Sequence, residues 1–414
     1  MEDLSGQVYQ QQSTHAGRSW RGGERVKKVG TSECGCYEGD VVDRALRDSV
    51  LALPELCRTL QGAARVLVKP NLLSSSCAPE DRPVNTHPAV IHAVIRLLQE
   101  EFGCEVSVGD SCGSLTPDST AQALKNSGVV QVAERAGAAV YNVDRQPRRC
   151  VSFREGRLYK EIPLPSNLDE FDLIISLAKF KTHHLTTITC AMKNLLGLVP
   201  GAAKKEAHLK APRAEEFATL LCDLYACLGP TVGIVDAVVG MEGSGPNNGT
   251  ARGMGFLAAS NDCVALDSVC ARIMGLNPHR VPMLEEGYRR GLGEIAVSEI
   301  EVMGEPVESL RCEDFQLPPS MANSLLLRLC PRWMFRLFFN AFTSLHAEID
   351  QDACVRCGEC VRNCPSHTIE QDPETGRCAV DPSGCIRCYC CDEVCPADAI
   401  EMRRNVLGRI FRRD

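Results

Sequence analysis

Eight cysteines near the C-terminus constrain this chain more than any other feature. From Cys354 it reads CVRCGECVRNCP, and from Cys385 it reads CIRCYCCDEVCP. Each run has the order C-x2-C-x2-C-x3-C-P, the spacing that wraps three thiolates around one 4Fe–4S cube and sends the fourth to a neighbouring cube. On that crossing pattern Cys354, Cys357, Cys360 and Cys395 hold the first cluster, and Cys385, Cys388, Cys391 and Cys364 hold the second. Pro365 and Pro396 follow the last cysteine of each run, where a ring without an N–H ends the turn. Cys390 is out of register and is not expected to be a ligand. A zinc site also suits CxxC pairs, but zinc needs four cysteines and not a doubled set of eight.

The segment from about 346 to 402 resembles bacterial-type two-cluster ferredoxins, which implies a small α+β domain. A chain of 414 residues leaves room beside it for at least one further domain with a full core. Charged residues make up 24% and the formal charge is -8, which argues against a general nucleic-acid binder. The cysteines outside the two runs are scattered without paired spacing. A thiol-rich chain with oxygen-sensitive clusters fits a reducing compartment, and residues 1–39 begin polar and glycine-rich with no apolar leader core. The expectation is a cytoplasmic protein with a flexible start.

From residue 40 onward the pattern alternates between helix and strand. Asp40 to Gln61 has helical apolar spacing, and Arg65 to Lys69 is a short apolar strand stopped by Pro70. Lys69 and Asn71 therefore sit where a strand opens into a loop, the place where open α/β sheets bind ligands. Thr86-His87-Pro88 starts a helix that Gly103 ends, and the strand from Glu105 delivers Asp110 and Ser111 to a second such opening. Helices over 120–126 and 129–136, a strand at 139–143 and a hairpin over 144–168 follow. The buried strand DLIISL (172–177) runs into AKFKTHH. The stretch 185–201 has helical length, 215–228 is an amphipathic helix, 231–235 is a strand, and 240–255 is a glycine-rich loop. Asn261-Asp262 caps a helix closing near Gly275. The sum is a mostly parallel, doubly wound α/β domain over 40–319.

Residues 320–345 carry Trp333, four phenylalanines, three arginines and no acid. They read as an amphipathic linker that docks the ferredoxin module, with peripheral membrane contact as the alternative, and the basic tail 403–414 suits either.

The chemistry gathers between Lys179 and Asn194, where three lysines, two histidines and four threonines fall within sixteen residues. Lys69, Lys179, Lys181 and Lys193, with Asn71, Ser111, Thr182 and Asn194, suit a phosphate or carboxylate, lysine as point charge and hydroxyls as donors. Gly243 and Gly245 allow close backbone approach to such a ligand. His183 and His184 are adjacent and do not chelate one metal easily; one is a candidate proton donor near neutral pH, as is Asp110.

KPNLL (69–73), HPAVI (87–91), GDS (109–111), LAKFKTH and MKNLLGLVPG within 177–201, VDAVVGMEGSGP (235–246) and ALD (265–267) resemble the family numbered 362 among domains of unknown function, over about 64–275. Many of its members are similar in carrying a two-cluster ferredoxin module. The family name implies no reaction. The residues point to an iron–sulfur oxidoreductase that exchanges electrons with an anionic organic cofactor or substrate, of flavin or deazaflavin type, or with a redox partner protein. The alternatives are an electron-transfer scaffold without chemistry of its own and a non-redox enzyme whose clusters stabilise or sense.

Overall fold

Valine, leucine and isoleucine alternate with their neighbours along the central strands, and the alternation sends successive side chains into two different cores. In the computed structural model, which describes residues 26–73, 83–113, 117–318 and 345–404, Leu67 enters one core while Val66 and Val68 enter the other. Phe256 and Ala258 likewise oppose Leu257 and Ala259. A sheet buried on both faces needs helices on both, which is the doubly wound arrangement.

The strands in chain order are β1 (Lys27–Glu33), β2 (Arg65–Pro70), β3 (Glu105–Val108), β4 (Ala139–Val140), β5 (Arg148–Ser152), β6 (Glu161–Pro165), β7 (Leu173–His183), β8 (Thr187–Thr189), β9 (Thr231–Glu242), β10 (Thr250–Ser260) and β11 (Ile300–Gly304). Nine of them form one sheet in the order β11-β1-β10-β9-β7-β2-β3-β4, with β8 folded back on β7. The run β4-β3-β2-β7-β9 is parallel throughout. β10 runs against both β9 and β1. β5 and β6 make the separate hairpin expected over 144–168.

Several boundaries differ from the sequence reading, each for a physical reason. The supposed flexible start already contains β1, whose sequence KKVGTSE alternates weakly; its register comes from β10 and β11. Gly30 is required there, since a Cβ would lie 1.9 Å from the Ser49 carbonyl oxygen. The helical stretch 40–61 is two helices, Gly39–Leu51 and Pro54–Gln61, because Pro54 cannot continue the first. The 185–201 segment is not one helix: β8 pairs with β7 through His183↔Thr187, and only Ala191–Asn194 is α-helical before a 3-10 turn over Leu195–Leu198. Its threonines favour the strand. The glycine-rich 240–255 stretch is the tip of the β9–β10 hairpin, with Glu242 paired to Thr250. His87 caps Pro88–Phe102 by accepting the Ala89 N–H at 3.1 Å, and Gly103 closes that helix at φ 66.

The C-terminal module is an internal repeat. β12 (Leu345–Ile349), the helix Glu359–Asn363 and β13 (Ile369–Gln371) form the first half; β14 (Cys378–Val380), the helix Cys390–Glu393 and β15 (Ile400–Arg404) form the second. β12 pairs with β15 and β13 with β14, both antiparallel, so the halves close around each other. The amphipathic segment expected over 320–345 falls outside the described residues except for Leu345, and the basic tail falls outside them beyond Arg404. No described helix is long and apolar enough to cross a membrane.

Candidate functional site

The carboxyl ends of β2 and β3 open beside the second half of the C-terminal module, and a cleft of about 80 Å³ lies between them. Its α/β wall is built from Lys69, Asn71, Asp110, Ser111, Thr189, Lys193, Asn194 and the helix Gly201–Lys210; its opposite wall is Asn363, Cys390, Glu393 and Val394. Lys69 is fully buried and bonds to Asp110 Oδ2 at 2.8 Å, Pro70 O at 2.8 Å and Asn194 Oδ1 at 3.0 Å. Burial pushes the Lys69 ammonium down, partly opposed by Asp110, and pushes the Asp110 carboxyl up. Gly197 makes this pair possible: a Cβ there would lie 2.0 Å from Asp110 Oδ1 and 2.5 Å from Lys69 Cε.

Lys204 is spent on the β3 loop, donating to Ser111 O at 2.6 Å, Ser111 Oγ at 2.8 Å and Cys112 O at 2.9 Å. Lys205 reaches across to the Arg362 carbonyl. Lys193 has neither an ion pair nor a hydrogen bond among the described residues, and burial lowers its ammonium. Thr189 Oγ1, His208 Nδ1, Asn363 Oδ1 and Asn71 Oδ1 are buried atoms of the same lining without a hydrogen-bond partner among the described residues. Burial pushes His208 down to about 4, so its ring is neutral at pH 7.

The cysteines of the C-terminal runs fall into two groups. Cys354, Cys357, Cys360 and Cys395 line one cavity, together with Cys378, and Cys364, Cys385, Cys388 and Cys391 line another. These are the two sets that the crossing pattern requires. The backbone between them turns through positive φ at repeat-related positions: Arg356 and Arg387 at 58, Gly358 at 71 and Tyr389 at 66, His367 at 53 and Asp398 at 50. Such turns aim N–H groups at sulfur, as Arg356 N does at Cys354 Sγ (3.4 Å), Thr368 N at Cys364 Sγ (3.4 Å) and Ala399 N at Cys395 Sγ (3.3 Å). Four thiols around a cavity with backbone donors on the sulfurs fit a 4Fe–4S cube in each half.

A family model described as "Domain of unknown function (DUF362)" matches residues 66–272, and a 4Fe-4S dicluster domain matches 346–396. A thylakoid-associated protein of Synechocystis sp. is 30% identical over 300 residues, covering 71% of this chain and 88% of that one. The chain belongs to the DUF362 family. Among solved structures, the lactate racemase apoprotein from Thermoanaerobacterium thermosaccharolyticum superposes with a TM-score of 0.38 at 12% identity. That match covers 61% of this chain and spans 58% of the racemase chain.

In this DUF362 protein the cleft gathers six of the expected residues, Lys69, Asn71, Asp110, Ser111, Lys193 and Asn194, and leaves the others elsewhere. Lys179 is buried against Asp236 Oδ2 (2.8 Å) and Tyr37 OH (2.7 Å). Lys181 donates to Val84 O (2.7 Å) and Pro246 O (3.2 Å), with burial lowering it far below an ordinary lysine. The N–H groups of Gly243 and Gly245 do not face a ligand: Gly243 donates to Gln316 O at 2.7 Å, and Gly245 to Gly243 O at 2.9 Å and Thr182 Oγ1 at 3.2 Å. That hairpin tip docks the dicluster module instead, through Asn248 Nδ2 to Asp392 Oδ1 at 2.6 Å and Asn247 Nδ2 to Cys395 O at 3.4 Å.

The two histidines belong to the same interface. His183 Nδ1 accepts the Leu185 N–H at 3.1 Å, which leaves the proton on Nε2, facing Glu393 Oε1 at 3.0 Å. His184 stacks on Tyr389 with ring centroids 5.1 Å apart. Burial, with Lys193 close to the first ring, pushes His183 down to about 3, and burial pushes His184 down to about 4. Both rings are therefore neutral at pH 7, and neither lines the cleft. The sequence reading also missed Gly201, Lys204, Lys205 and His208. Their i, i+3, i+4, i+7 spacing on one helix face was the signal available.

Proposed function

We propose that this protein is an iron–sulfur oxidoreductase that passes electrons between two 4Fe–4S clusters and a small anion held between its α/β and dicluster modules. One observation carries the reading: the lysine-lined cleft is closed on its far side by the helix Cys390–Glu393, which bears Cys391. Cys354, Cys357, Cys360 and Cys395 would hold one cluster, and Cys364, Cys385, Cys388 and Cys391 the other. When bound, the clusters supply one-electron transfer.

The chain's own residues do the rest. Lys193, which makes no ion pair among the described residues, offers its charge to the ligand, and the Lys69 Nζ–Asp110 Oδ2 contact at 2.8 Å stores a proton at the cleft floor. Docking of the modules by Asn247, Asn248 and His183 holds the dicluster wall of the cleft against the α/β wall. About 80 Å³ accommodates a few waters or a small anion, which supports a ligand smaller than the flavin or deazaflavin expected from sequence. Val355 is 64% exposed beside Cys354 and the exposed Cys357, a face suited to a redox partner protein at the first cluster. None of the described cysteines is in a disulfide, in keeping with a reducing compartment such as the cytoplasm. The name of the thylakoid-associated relative, with the arginine- and phenylalanine-rich 320–345 segment, supports peripheral contact with a membrane surface.

The test is anaerobic. Protein carrying roughly eight irons is reduced and mixed with small anionic acceptors, and reoxidation is followed in the visible spectrum and by EPR. Acceptor-dependent reoxidation lost in Lys193→Ala is the expected result. Reoxidation only by a carrier protein, at equal rates in both, would make the chain an electron-transfer scaffold.

A further inference from the structure

The two halves of the dicluster module are not equivalent, and the difference falls on sulfur. After its last cysteine the first half reads Cys364-Pro365-Ser366-His367-Thr368-Ile369, and the second reads Cys395-Pro396-Ala397-Asp398-Ala399-Ile400. Ser366 and Thr368 stand where the repeat places Ala397 and Ala399. The backbone contact is common to both: the Thr368 N–H points at Cys364 Sγ at 3.4 Å, and the Ala399 N–H at Cys395 Sγ at 3.3 Å. The hydroxyls differ. Thr368 Oγ1 lies 3.5 Å and Ser366 Oγ 3.6 Å from Cys364 Sγ, and the two oxygens are 3.2 Å apart. A ligating thiolate has no proton to give, so whichever hydroxyl donates to the other, at least one O–H ends on Cys364 Sγ. Both residues line the cavity of the second set, with Cys364, Cys385, Cys388 and Cys391, whereas Ala397 and Ala399 line that of the first.

A hydrogen bond to a ligand sulfur stabilises the more negative, reduced state and so raises the reduction potential. Charge adds to it: the Lys205 ammonium interacts with Cys364, and Lys193 lines the cleft with Cys390. Arg362 interacts with Cys357 and Cys360 of the first set, but its guanidinium is paired with Glu359 at 2.7 Å. Burial opposes the effect, since Cys364, Cys388 and Cys391 are buried and in the first set only Cys360 is. The same low dielectric strengthens the donors and ammonium groups that stand in for the lost water.

We propose that Ser366 and Thr368 are potential-setting residues: their hydroxyls on Cys364 Sγ hold the second cluster at a higher potential than the first. An electron from a one-electron carrier protein, entering on the side of the exposed Cys357, then comes to rest beside the cleft. In that transfer the first cluster is oxidised as the second is reduced, and no bond or proton changes place. The proposal gives the electron a direction and rests on the cluster assignment of the proposed function, not on the ligand of the cleft.

The experiment is an anaerobic redox titration of the cluster-loaded full chain, followed by EPR with no acceptor present. Two midpoints are expected, about 59 mV or more apart, which is a tenfold preference for the electron. Ser366→Ala/Thr368→Val removes both hydroxyls and keeps the Thr368 N–H. It is expected to lower the higher midpoint by a similar amount and to leave the lower one in place. Thr368→Ser alone, which keeps a hydroxyl, is expected to hold the wild-type values. Iron content and melting temperature show that each variant is loaded and folded. Unchanged midpoints in the loaded double variant, or a fall in the lower midpoint instead of the higher, would overturn the proposal. Where the double variant loses its iron, Ala397→Ser carries the test by giving the first cavity a hydroxyl: a rise in the lower midpoint supports the proposal, and two unmoved midpoints overturn it. Because no acceptor is present, failure of the reoxidation assay leaves this result standing, and unmoved midpoints leave that assay to be judged separately.

Discussion

A histidine placed among lysines and aromatic carbons is neutral for two reasons that act in the same direction. His208 stacks on Phe217 with centroids 4.6 Å apart, and burial, with Lys193 and Lys204 near it and only Glu393 opposing, pushes it down to about 4. In the unfolded chain its value returns to about 6.5. Between those values the unfolded state binds the additional proton, so stability falls as pH drops from about 6.5 towards 4. From pH 7 to pH 5 the loss from this one ring is about 2 kcal/mol. Denaturant unfolding of the wild type and His208→Gln at both pH values should show the wild type losing that much more than the variant; parallel losses would mean the ring is not held neutral. Residue identity at strand ends was legible: Lys69, Asn71, Asp110 and Ser111 were found because β2 and β3 end where their sequences say. What each lysine does was not legible. Lys69, Lys179 and Lys193 have the same chemistry in sequence, and only the fold gives an ion pair with Asp110 to the first, one with Asp236 to the second and, among the described residues, none to the third.

Elements are legible where apolar spacing is long and illegible where partners decide. The helix Ala214–Leu228 was readable within a residue, yet its one buried acid, Asp223, has a function that spacing does not reveal. Asp223 accepts the N–H groups of Arg157 (3.0 Å), Leu158 (2.8 Å) and Tyr159 (2.8 Å) and the Arg290 guanidinium at 2.7 Å. It thereby pins the turn of the β5–β6 hairpin to the helical layer. Asp223→Ala strands these donors and a nearly buried guanidinium, and should cost about 3–5 kcal/mol in urea unfolding, with amide exchange rising first across 148–165. A loss below about 1 kcal/mol would mean that water replaces the carboxylate without penalty. The converse case is β8. Threonines at 186, 187 and 189 fit a short strand, but its existence depends on the open edge of β7, and the 185–201 segment therefore read as helix until that edge was in view. The glycines of 240–255 were similarly ambiguous: Gly245 is needed because a Cβ would lie 2.3 Å from Thr182 O, a packing demand and not a ligand cradle.

At the scale of the molecule the two modules hold themselves together by different means. The α/β domain buries two extensive apolar cores, one on each face of its sheet. Among the described residues, the dicluster module's own small core consists of Ala347, Ile349, Ile369 and Ile400 beside its cysteines. A core that small is marginal without a covalent or metal staple. The clusters are therefore expected to provide most of its folding free energy, while the sheet domain stands alone. Removing iron anaerobically with a chelator and an oxidant should open residues 345–404 to protease while the fragment from β1 to β11 stays resistant. The interface would come apart with it, because Asp392 and Glu393, the partners of Asn248 and His183, lie between the second-cluster cysteine Cys391 and the first-cluster cysteine Cys395. Protease resistance across 345–404 after complete loss of iron would show that the apolar contacts and the docking hydrogen bonds suffice, and the clusters would then be passengers in the fold and not its staples.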